Sequence, residues 1–517
     1  MSELTFARLL TSGAFPEAQN ATRAWQGRDA VAVAGSWSGQ HEGRETGTGG
    51  EALYLYRRAD LALAGERVLP DTVNAVAFHP HAPVAVVGYG GYDGGTFFTG
   101  GALWWNWQTG QARPLLRDDR EVVDVSFSAD GSQLHLTCSP PDDEAHPFLH
   151  TTYLLPLPSP SPVELAQLTV LATFPPPPLP QAAYQAQQRA ELADLAALAT
   201  AHGADFAPAP MVWDLLFLPD GRLVSAHERA TVRLWQVEEG SCQQWQLEAG
   251  NRCVQLFATG PRELVVVVET NRWHAPDNAL TTFFRLDLAD GASRLLARQA
   301  HLLSQAADGT FLARQVLDGQ ARYRPADLLL TDQLQVAKKL RLGSYDMLNH
   351  YLRLDGAPHH YCLLGASPPT RHKSLWRLQP TTGEREHFAP LDGPAEQWLN
   401  TAAVYHPDRL VVAGAILHQQ TTSYCLQAFT PTGQVAWRHH LPTRIVAATR
   451  GPGGRLVTAT RDGQLAVWRL ADGQQRSTQA VLPTPTTAQP LSLTSNDTHL
   501  AVGLSDGRIA VYRWAAA

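Results

Sequence analysis

Long apolar runs, paired cysteines and clusters of basic residues are scarce in this sequence of 517 residues. Nowhere do 18 apolar residues stand together, which argues against a membrane-spanning helix. No Cys-x-x-Cys pair occurs, so a zinc or redox site built on that motif is excluded. The cysteines are odd in number and widely spaced, and we expect reduced core residues at all five positions: Cys138, Cys242, Cys253, Cys362 and Cys425.

Neither positive nor negative charge is in large excess. The 41 Lys and Arg residues and 48 Asp and Glu residues leave a formal net charge of -7, and the basic residues cluster only at 338–341. A face that binds nucleic acid usually carries many more of them. The N-terminal stretch MSELTFARLL also lacks a basic start followed by an apolar run. We therefore expect a soluble, cytoplasmic protein that binds neither nucleic acid nor a membrane.

A repeated strand pattern is what the sequence does contain. The stretch GGRLVTATRDGQLAVWRLADGQ at 453–474 alternates apolar and polar residues and breaks at two Asp-Gly pairs, as strands joined by hairpin turns do. Related stretches stand at 221–240 and 499–514. In all three, a leucine precedes an aromatic residue by twelve positions: Leu223 and Trp235, Leu456 and Trp468, Leu500 and Tyr512.

Weaker copies of this unit extend over most of the chain. The second strand of each unit is expected to begin near Val31, Val84, Leu134, Leu223, Leu264, Phe311, Tyr361, Leu410, Leu456 and Leu500. Most intervals are 41 to 53 residues, and one is 89. A period in the forties that is built from four strands is typical of β-propellers, whose small sheets must stack on their neighbours to bury both faces. The fold class predicted is all-β, with about ten four-stranded blades.

The units at 221, 454 and 498 resemble tryptophan-aspartate (WD) repeat propellers. Asp462 and Asp506 stand in the tight turn where that family has its aspartate, whereas Arg229 takes that place in the 221 unit and the family's Gly-His pair is missing. The aromatic residue that closes the third strand is matched by Trp235, Trp468 and Tyr512. The resemblance implies a propeller that serves as a scaffold for protein binding.

Ten units leave two ring arrangements open, since propellers typically have four to eight blades. Either one large ring forms, or the units at 210–517 close as a seven-bladed ring and the N-terminal three blades at 1–174 belong to another part. We favour one continuous ring. In either case we expect residues 4–10 to add an outer strand to the last blade, which otherwise ends at Tyr512 without a fourth strand.

An insertion at 175–209 separates the third and fourth units. Its prolines predict a stiff extended spacer, and residues 181–202 predict a helix whose apolar stripe contains Tyr184, Leu192, Leu195, Leu198 and Ala199. One interpretation is a helix packed against the side of the propeller. The other is a helix that is offered to a partner, as part of a larger complex.

The long loops are expected on one face of the propeller. Connections between strands two and three leave a four-stranded blade on the same face as the connection to the next blade, and the long ones span 35–50, 88–101, 139–148 and 269–280. Loops on a rigid scaffold are common binding sites, and aromatic residues are enriched in binding hot spots. The predicted partner-binding residues are Trp37, Tyr89, Tyr92, Phe97, Phe98 and Trp273. The alternative is that these rings cover the core or pack between hairpins.

Catalytic motifs are incomplete. The stretch at 503–507 matches the Gly-x-Ser-x-Gly nucleophile pattern around Ser505, but that motif requires a strand that leads into a helix, and a hairpin turn is expected here. Residues 47–52 fit a dinucleotide fingerprint loosely, yet a strand follows them instead of a helix. Paired carboxylates at Asp142 and Asp143 are expected in a solvated turn.

A group of histidines invites a metal hypothesis, namely His350, His359, His360 and His372 together with Cys362. Adjacent residues of a strand point to opposite faces, so His359 and His360 would not converge on one ion. We therefore predict no metal site, no cofactor and no catalytic residue. The function predicted is a non-catalytic scaffold that binds a protein partner; the alternative is an enzyme or small-ligand receptor with its site in the central channel.

Overall fold

The computed structural model describes residues 3–11, 13–18, 21–36, 40–41, 44–45, 50–92, 98–140, 149–158, 161–175, 181–206, 208, 211–228, 230–247, 252–269, 281–298, 300–315, 326–340, 351–364, 373–391, 397–418, 421–483 and 488–515. These residues form ten four-stranded antiparallel sheets, which we number in chain order, and one long helix. They are divided into two compact units. The seven-sheet unit comprises Met1–Leu10, Met211–Leu504 and Arg508–Ala517, and the three-sheet unit comprises Thr11–Pro210 and Ser505–Gly507.

The three-sheet unit contains sheets 1 to 3, and strand β1 (Leu4–Leu10) precedes it in the chain. Sheet 1 has β2 (Ala21–Gln26), β3 (Ala30–Ser36), β6 (Glu51–Arg57) and β7 (Leu63–Leu69), and a short hairpin of β4 (Gln40–His41) and β5 (Arg44–Glu45) intervenes in the chain. Sheet 2 has β8 (Val73–Phe78), β9 (Val84–Tyr92), β10 (Phe98–Asn106) and β11 (Ala112–Pro114). Sheet 3 has β12 (Val122–Phe127), β13 (Gln133–Cys138), β14 (His150–Pro156) and β15 (Thr169–Phe174). Helix α1 (Gln181–Ala201) follows, and Pro16–Ala18 and Leu165–Gln167 are 3-10 turns.

The seven-sheet unit contains sheets 4 to 10. Sheet 4 has β16 (Val212–Phe217), β17 (Leu223–His227), β18 (Thr231–Gln236) and β19 (Ser241–Gln246), and sheet 5 has β20 (Arg252–Ala258), β21 (Glu263–Glu269), β22 (Thr281–Asp287) and β23 (Ser293–Arg298). Sheet 6 has β24 (Ala300–Gln305), β25 (Phe311–Gln315), β26 (Ala326–Leu330) and β27 (Val336–Leu340), and sheet 7 has β28 (Tyr351–Leu352), β29 (His360–Leu364), β30 (Ser374–Leu378) and β31 (Arg385–Pro390). Sheet 8 has β32 (Gln397–His406), β33 (Arg409–His418), β34 (Thr421–Phe429) and β35 (Val435–Leu441), and sheet 9 has β36 (Ile445–Gly451), β37 (Arg455–Thr460), β38 (Gln464–Arg469) and β39 (Gln475–Ala480). Sheet 10 has β40 (Pro490–Ser495), β41 (His499–Leu504), β42 (Ile509–Trp514) and β1.

The tryptophans that match between units make the same hydrogen bond. The Trp235 indole N–H donates to the Ser225 hydroxyl at 2.9 Å, and the Trp468 indole N–H donates to the Thr458 hydroxyl at 2.9 Å. Each hydroxyl belongs to the second strand of the sheet and each indole to the third, and all four side chains are buried. A buried indole N–H needs an acceptor, so this bond explains why a hydroxyl residue precedes each tryptophan by ten positions.

Replacing Trp468 by phenylalanine is expected to lower the free energy of unfolding by about 1–3 kcal/mol, because the Thr458 hydroxyl loses its donor and the smaller ring leaves a gap. Urea denaturation of Trp468→Phe, Thr458→Val and the double variant measures the effect. The double variant should lose less than the sum of the single losses, since the second substitution removes a bond that is already broken. Strictly additive losses would contradict the bond.

The first strands of neighbouring sheets lie side by side in the seven-sheet unit. Strand β16 contacts β20, β32 contacts β36, β36 contacts β40, and β16 also contacts β40. Seven apolar clusters each join two sheets, in the order 4–5, 5–6, 6–7, 7–8, 8–9, 9–10 and 10–4. The last of these contains Val212 and Leu223 of sheet 4 together with Ala501 and Ile509 of sheet 10. The apolar core of this unit therefore returns to the sheet at which it starts.

This contact between sheets 4 and 10 corrects the preferred expectation of one continuous ring of ten blades. In such a ring, sheet 10 would contact sheet 1 and sheet 4 would contact sheet 3. Instead, the Ser492 hydroxyl of sheet 10 donates to the Val212 carbonyl of sheet 4 at 2.8 Å. A Cβ at Gly503 would meet the Val212 side chain at 2.5 Å, so glycine permits this close approach.

The fourth strand of sheet 10 is β1, from the beginning of the chain. It pairs with β42 in antiparallel register from Leu4 opposite Trp514 to Leu10 opposite Ile509. Beside the strand, the Arg455 Nε donates to the Glu3 carboxylate at 2.6 Å, and the Phe6 ring lies edge-on to Tyr512 at 5.6 Å. The two ends of the chain thus complete one sheet.

Helix α1 packs against sheet 1. Leu195 and Ala199 are fully buried and Leu198 is nearly so, in a cluster with Phe15 and Val33, whereas Tyr184 at the N-terminal end is 36% exposed. The Arg23 Nε donates to the Glu191 carboxylate at 2.7 Å, which ties β2 to the helix. This burial favours the interpretation in which the helix packs against the blades, because Leu195, Leu198 and Ala199 of the apolar stripe are already covered. No helix in the described ranges is both long and apolar enough to cross a membrane.

Candidate functional site

The predicted partner-binding residues fall only partly within the described ranges. Tyr89 lies on β9, opposite Val73 and Gly101, and its partly buried ring packs on the apolar cluster between sheets 1 and 2. That position agrees with the alternative in which the aromatic rings cover the core. For Tyr92 and Phe98 only the backbone is described, as an antiparallel pair at the ends of β9 and β10. Trp37, Phe97 and Trp273 lie outside the described residues, as do Asp142 and Asp143.

The connections between second and third strands leave sheets 1 to 3 at one end of the three-sheet unit, which we call the loop end. Two side chains show that these strand ends are close together. The Asn74 amide on β8 donates to the Gly90 carbonyl at 3.1 Å and to the Val122 carbonyl of sheet 3 at 3.2 Å. The Glu51 carboxylate, at the start of β6, accepts the Val73 backbone N–H at 2.8 Å. These hydrogen bonds therefore link the strand ends from which the three connections start, which we call the roots of the connections.

Two further carboxylates brace the connections that follow β9 and β13. Asp71 accepts a hydrogen bond from the exposed Thr99 hydroxyl on β10, and Glu121 accepts one from the buried Ser139 hydroxyl just after β13. The Arg120 guanidinium also donates to the Ser139 carbonyl at 3.2 Å. Each connection thus begins or ends at a side chain that is bonded to a neighbouring strand.

Burial changes the charge balance at the loop end. It raises the pKa of Glu51, although the Val73 N–H and the Thr22 hydroxyl donate to this carboxylate, and it raises the pKa of Glu121 in spite of the Ser139 bond. The negative charge of Asp71 acts in the same direction on both pKa values. Carboxylates in such a setting favour a neighbouring donor or cation, which would lower the cost of keeping them ionised.

Glycines beside the connection between β9 and β10 permit the close packing at the loop end. Gly90 and Gly100 have φ values of 141° and 155°, and a Cβ on either would come within 2.7 Å of Glu121 Cα. A side chain at these positions would push sheet 3 away from sheet 2. The glycine-rich stretch at 88–101 is therefore explained in part by packing.

A second polar group lies where the first strands of the seven-sheet unit converge. A β-bulge between Val212 and Asp214 re-aims the Asp214 side chain, whose Oδ2 accepts the Leu256 N–H of sheet 5 at 2.7 Å. Arg353, just after β28 of sheet 7, forms an ion pair with Asp214 and donates to the Leu256 carbonyl at 2.7 Å. Its guanidinium also lies 4.9 Å from the centre of the Phe257 ring.

This Asp214–Arg353 pair connects sheets that are not neighbours. Burial alone would lower the pKa of Arg353, but the Asp214 and Asp355 carboxylates raise it above the ordinary value. The side chains of Asp214 and Arg353 are 12% and 22% exposed. Because Asp214 is bonded to the Leu215 and Leu256 backbone and to Arg353, the group acts as a clamp between strands.

The histidines proposed as metal ligands are placed differently from one another. His360 is buried, and its Nδ1 lies 2.7 Å from the Ser304 hydroxyl of sheet 6, whereas His350 and His372 are outside the described residues. Burial lowers the pKa of His360 to about 4, so the ring is neutral at pH 7. Within the described part of the chain, no group of three or more His, Cys, Asp or Glu side chains is arranged to hold a metal ion.

Ser505 and the cysteines have the surroundings of structural residues. Ser505 lies in the turn between β41 and β42 and is buried. None of the five cysteines forms a disulfide bond, and four of them are buried. Burial raises the pKa of Cys138 to about 12 and that of Cys425 to about 11, so these thiols stay protonated at neutral pH.

Comparison with known proteins yields no family model and no curated protein that matches this chain. Solved structures similar to it include virginiamycin B lyase from Staphylococcus aureus, with 11% identity and a TM-score of 0.44 over 59% of this chain and 96% of that chain. BamB from Moraxella catarrhalis has 17% identity and a TM-score of 0.37 over 61% and 86% of the two chains. The Pan2 WD40 domain from Neurospora crassa has 10% identity and a TM-score of 0.43 over 60% and 90%. We derive neither an activity nor a partner from similarities at this level.

Proposed function

We propose that this chain is a non-catalytic, cytoplasmic scaffold that binds a protein partner through the loop end of the three-sheet unit. The observation that carries the proposal is the network formed by Asn74, Glu51, Asp71 and Glu121, which holds the roots of three long connections together. Loops with rigidly held ends lose less conformational entropy on binding than free loops do. Such an arrangement suits recognition of a protein surface.

We further propose that the seven-sheet unit is a closed propeller of seven blades and a divergent member of the WD-repeat type. Its seven inter-sheet clusters and the repeated indole–hydroxyl bonds of Trp235 and Trp468 support this assignment. A closed ring leaves no sheet face of this unit uncovered, because every sheet packs between two neighbours.

The alternative function, an enzyme or receptor with its site at the centre of the seven-sheet unit, has less support. The polar group identified there is the Asp214–Arg353 clamp, and both of its side chains are bonded within the protein. A ligand at this place would have to displace an ion pair between sheets, at a cost of several kcal/mol.

The proposal is tested by purifying partners from the native cell with the wild type and with a variant in which Tyr92, Phe97 and Phe98 are replaced by alanine. We expect the wild type to retain a stoichiometric partner and the variant to lose it, or to bind it at least about 10-fold more weakly, as for truncation of hot-spot residues. Binding of the identified partner is then measured with purified proteins by calorimetry.

A matched control removes exposed apolar side chains elsewhere. Leu295, Val336 and Val435 are 44%, 54% and 41% exposed on outer strands of the seven-sheet unit, and their triple replacement by alanine should leave partner binding unchanged. All variants must unfold at the temperature of the wild type. Equal partner retention by the loop variant and the control variant would refute the loop end as the binding surface.

A further inference from the structure

Strand β15 is an exposed sheet edge without the usual protection. It is the fourth strand of sheet 3 and pairs only with β14 in that sheet, and all six of its residues are exposed. Val170, Leu171 and Phe174 are 55%, 48% and 36% exposed, whereas most large apolar side chains of the described residues are buried. The free edge of this strand offers backbone N–H and C=O groups to another strand.

The other outer strands show how this chain protects its edges. Eight of them carry at least one charged side chain, as do β23 with Arg294, β27 with Lys338 and β39 with Arg476. The remaining one, β19, has the polar sequence SCQQWQ. Strand β15 has the sequence TVLATF, with neither charge nor amide, and such segments of high β-propensity pair readily with other strands. The bulge at its centre is no special protection, because β27, β31 and β39 have the same feature together with charges.

We propose that β15 pairs with β15 of a second copy of this chain, as two antiparallel edge strands related by a two-fold axis. Charge selects this occupant. In an antiparallel pairing of β27 with itself, Lys338 and Lys339 of one copy would lie close to Lys338 and Lys339 of the other, and these like charges would repel. Strand β15 carries no charge, so it can pair with itself without such repulsion. Full overlap of the two strands places Leu171 and Ala172 at the axis, with apolar and threonine side chains opposite one another.

The size of the contact sets the strength of the association. Two strands of six residues bury less surface than the standard interface of about 1,600 Å², so a dissociation constant in the micromolar range is expected. The joined sheets would form an eight-stranded sheet across the axis. This inference does not depend on the proposed partner binding at the loop end.

The test is the mass of the full chain in solution, by sedimentation equilibrium from about 1 to about 100 µM, the range that brackets a micromolar constant. We expect the wild type to pass from 56.4 kDa towards twice that mass as concentration rises. Leu171 of one copy faces Ala172 of the other in this register, so Leu171→Lys/Ala172→Lys and Leu171→Glu/Ala172→Glu each place like charges directly opposite one another. Each variant alone should associate at least about 10-fold more weakly. An equal mixture of the two should regain association, because opposite charges then meet.

The control is Val336→Lys on β27, a valine whose exposed fraction of 54% matches that of Val170. It should associate as the wild type does, and circular dichroism must show equal unfolding temperatures for all variants. A wild type that stays at 56.4 kDa at every concentration overturns the proposal, and so does a Leu171→Lys/Ala172→Lys variant that dimerises normally. Failure of the mixture to associate also overturns it, because the loss in the separate lysine and glutamate variants would then not come from opposed charges at a shared axis.

Discussion

Replacing Asp214 by asparagine is expected to lower the free energy of unfolding of the seven-sheet unit by about 3–5 kcal/mol. Asparagine keeps the shape and can still accept the Leu256 N–H, so the substitution removes mainly the charge opposite Arg353. The guanidinium would then stay largely buried against Phe257, and the exposed Asp355 carboxylate, 3.7 Å from its Nε, would replace the lost charge only in part. Urea denaturation followed by tryptophan fluorescence measures the loss.

A second substitution separates the charge from the packing. In Asp214→Asn/Arg353→Met, the cation is removed as well, and most of the lost stability should return because an apolar side chain fits beside Phe257. The exposed pair of Arg377 and Glu386, at 2.6 Å, serves as the control: Glu386→Gln should cost no more than about 1 kcal/mol. Equal costs for Asp214→Asn and Glu386→Gln would contradict the clamp.

The strands and their turns could be predicted from sequence because both signals are local. The alternation in 453–474 corresponds to β37 and β38, and the Asp462-Gly463 turn lies between them. Ten repeat units were expected, and ten four-stranded sheets are present in the described residues. Each sheet uses side chains that alternate across a strand, a rule that needs no knowledge of distant contacts.

The neighbours of each sheet could not be predicted in the same way. A unit at 210 has the same local pattern whether it packs on the unit before it or on the last unit of the chain. The choice is made by contacts such as Val212 with Ser492, which are 280 residues apart, and by the cluster of Val212 and Ile509. The preference for one ring of ten rested on the small number of N-terminal units, since three blades are too few to close by themselves, and that argument does not decide such contacts.

The candidate site was only partly visible in the sequence. The sequence predicts aromatic residues as the binding residues, because aromatic residues are enriched in binding hot spots. It also predicts that the long connections lie on one face. The side chains that join those connections, Asn74, Glu51 and Glu121, occur singly at strand ends, where polar residues are ordinary. The sequence does contain one signal for two of these side chains: Glu51 and Glu121 each stand immediately before an apolar run, which begins at Ala52 or Val122. Asp214 was hidden because the bulge beside it interrupts the alternation with period two.

Acidification should destabilise the seven-sheet unit through His360, and this is the second large effect that we expect. In the folded state, burial lowers the pKa of this ring to about 4, against about 6.5 in an unfolded chain. The stability that this difference provides is complete above pH 6.5 and is lost as the pH falls towards 4, because the unfolded chain takes up a proton that the folded chain refuses. Between those limits the loss amounts to about 3 kcal/mol.

The same ring explains why acid would act at the contact between sheets 6 and 7. His360 shares one hydrogen bond with Ser304 of sheet 6, and protonation would place a charge in a buried site, a cost that the nearby Asp308 carboxylate reduces but does not offset. His360→Asn removes the titrating group, so its free energy of unfolding should fall less than that of the wild type between pH 7 and pH 4. His81→Asn, at an exposed position, should follow the wild type. Glu51 and Glu121, whose pKa values are raised, respond to acid in the opposite sense in all three proteins, so the comparison between variants isolates His360. A pH dependence that is identical in the wild type and His360→Asn would show that the ring is already protonated or exposed in the folded state.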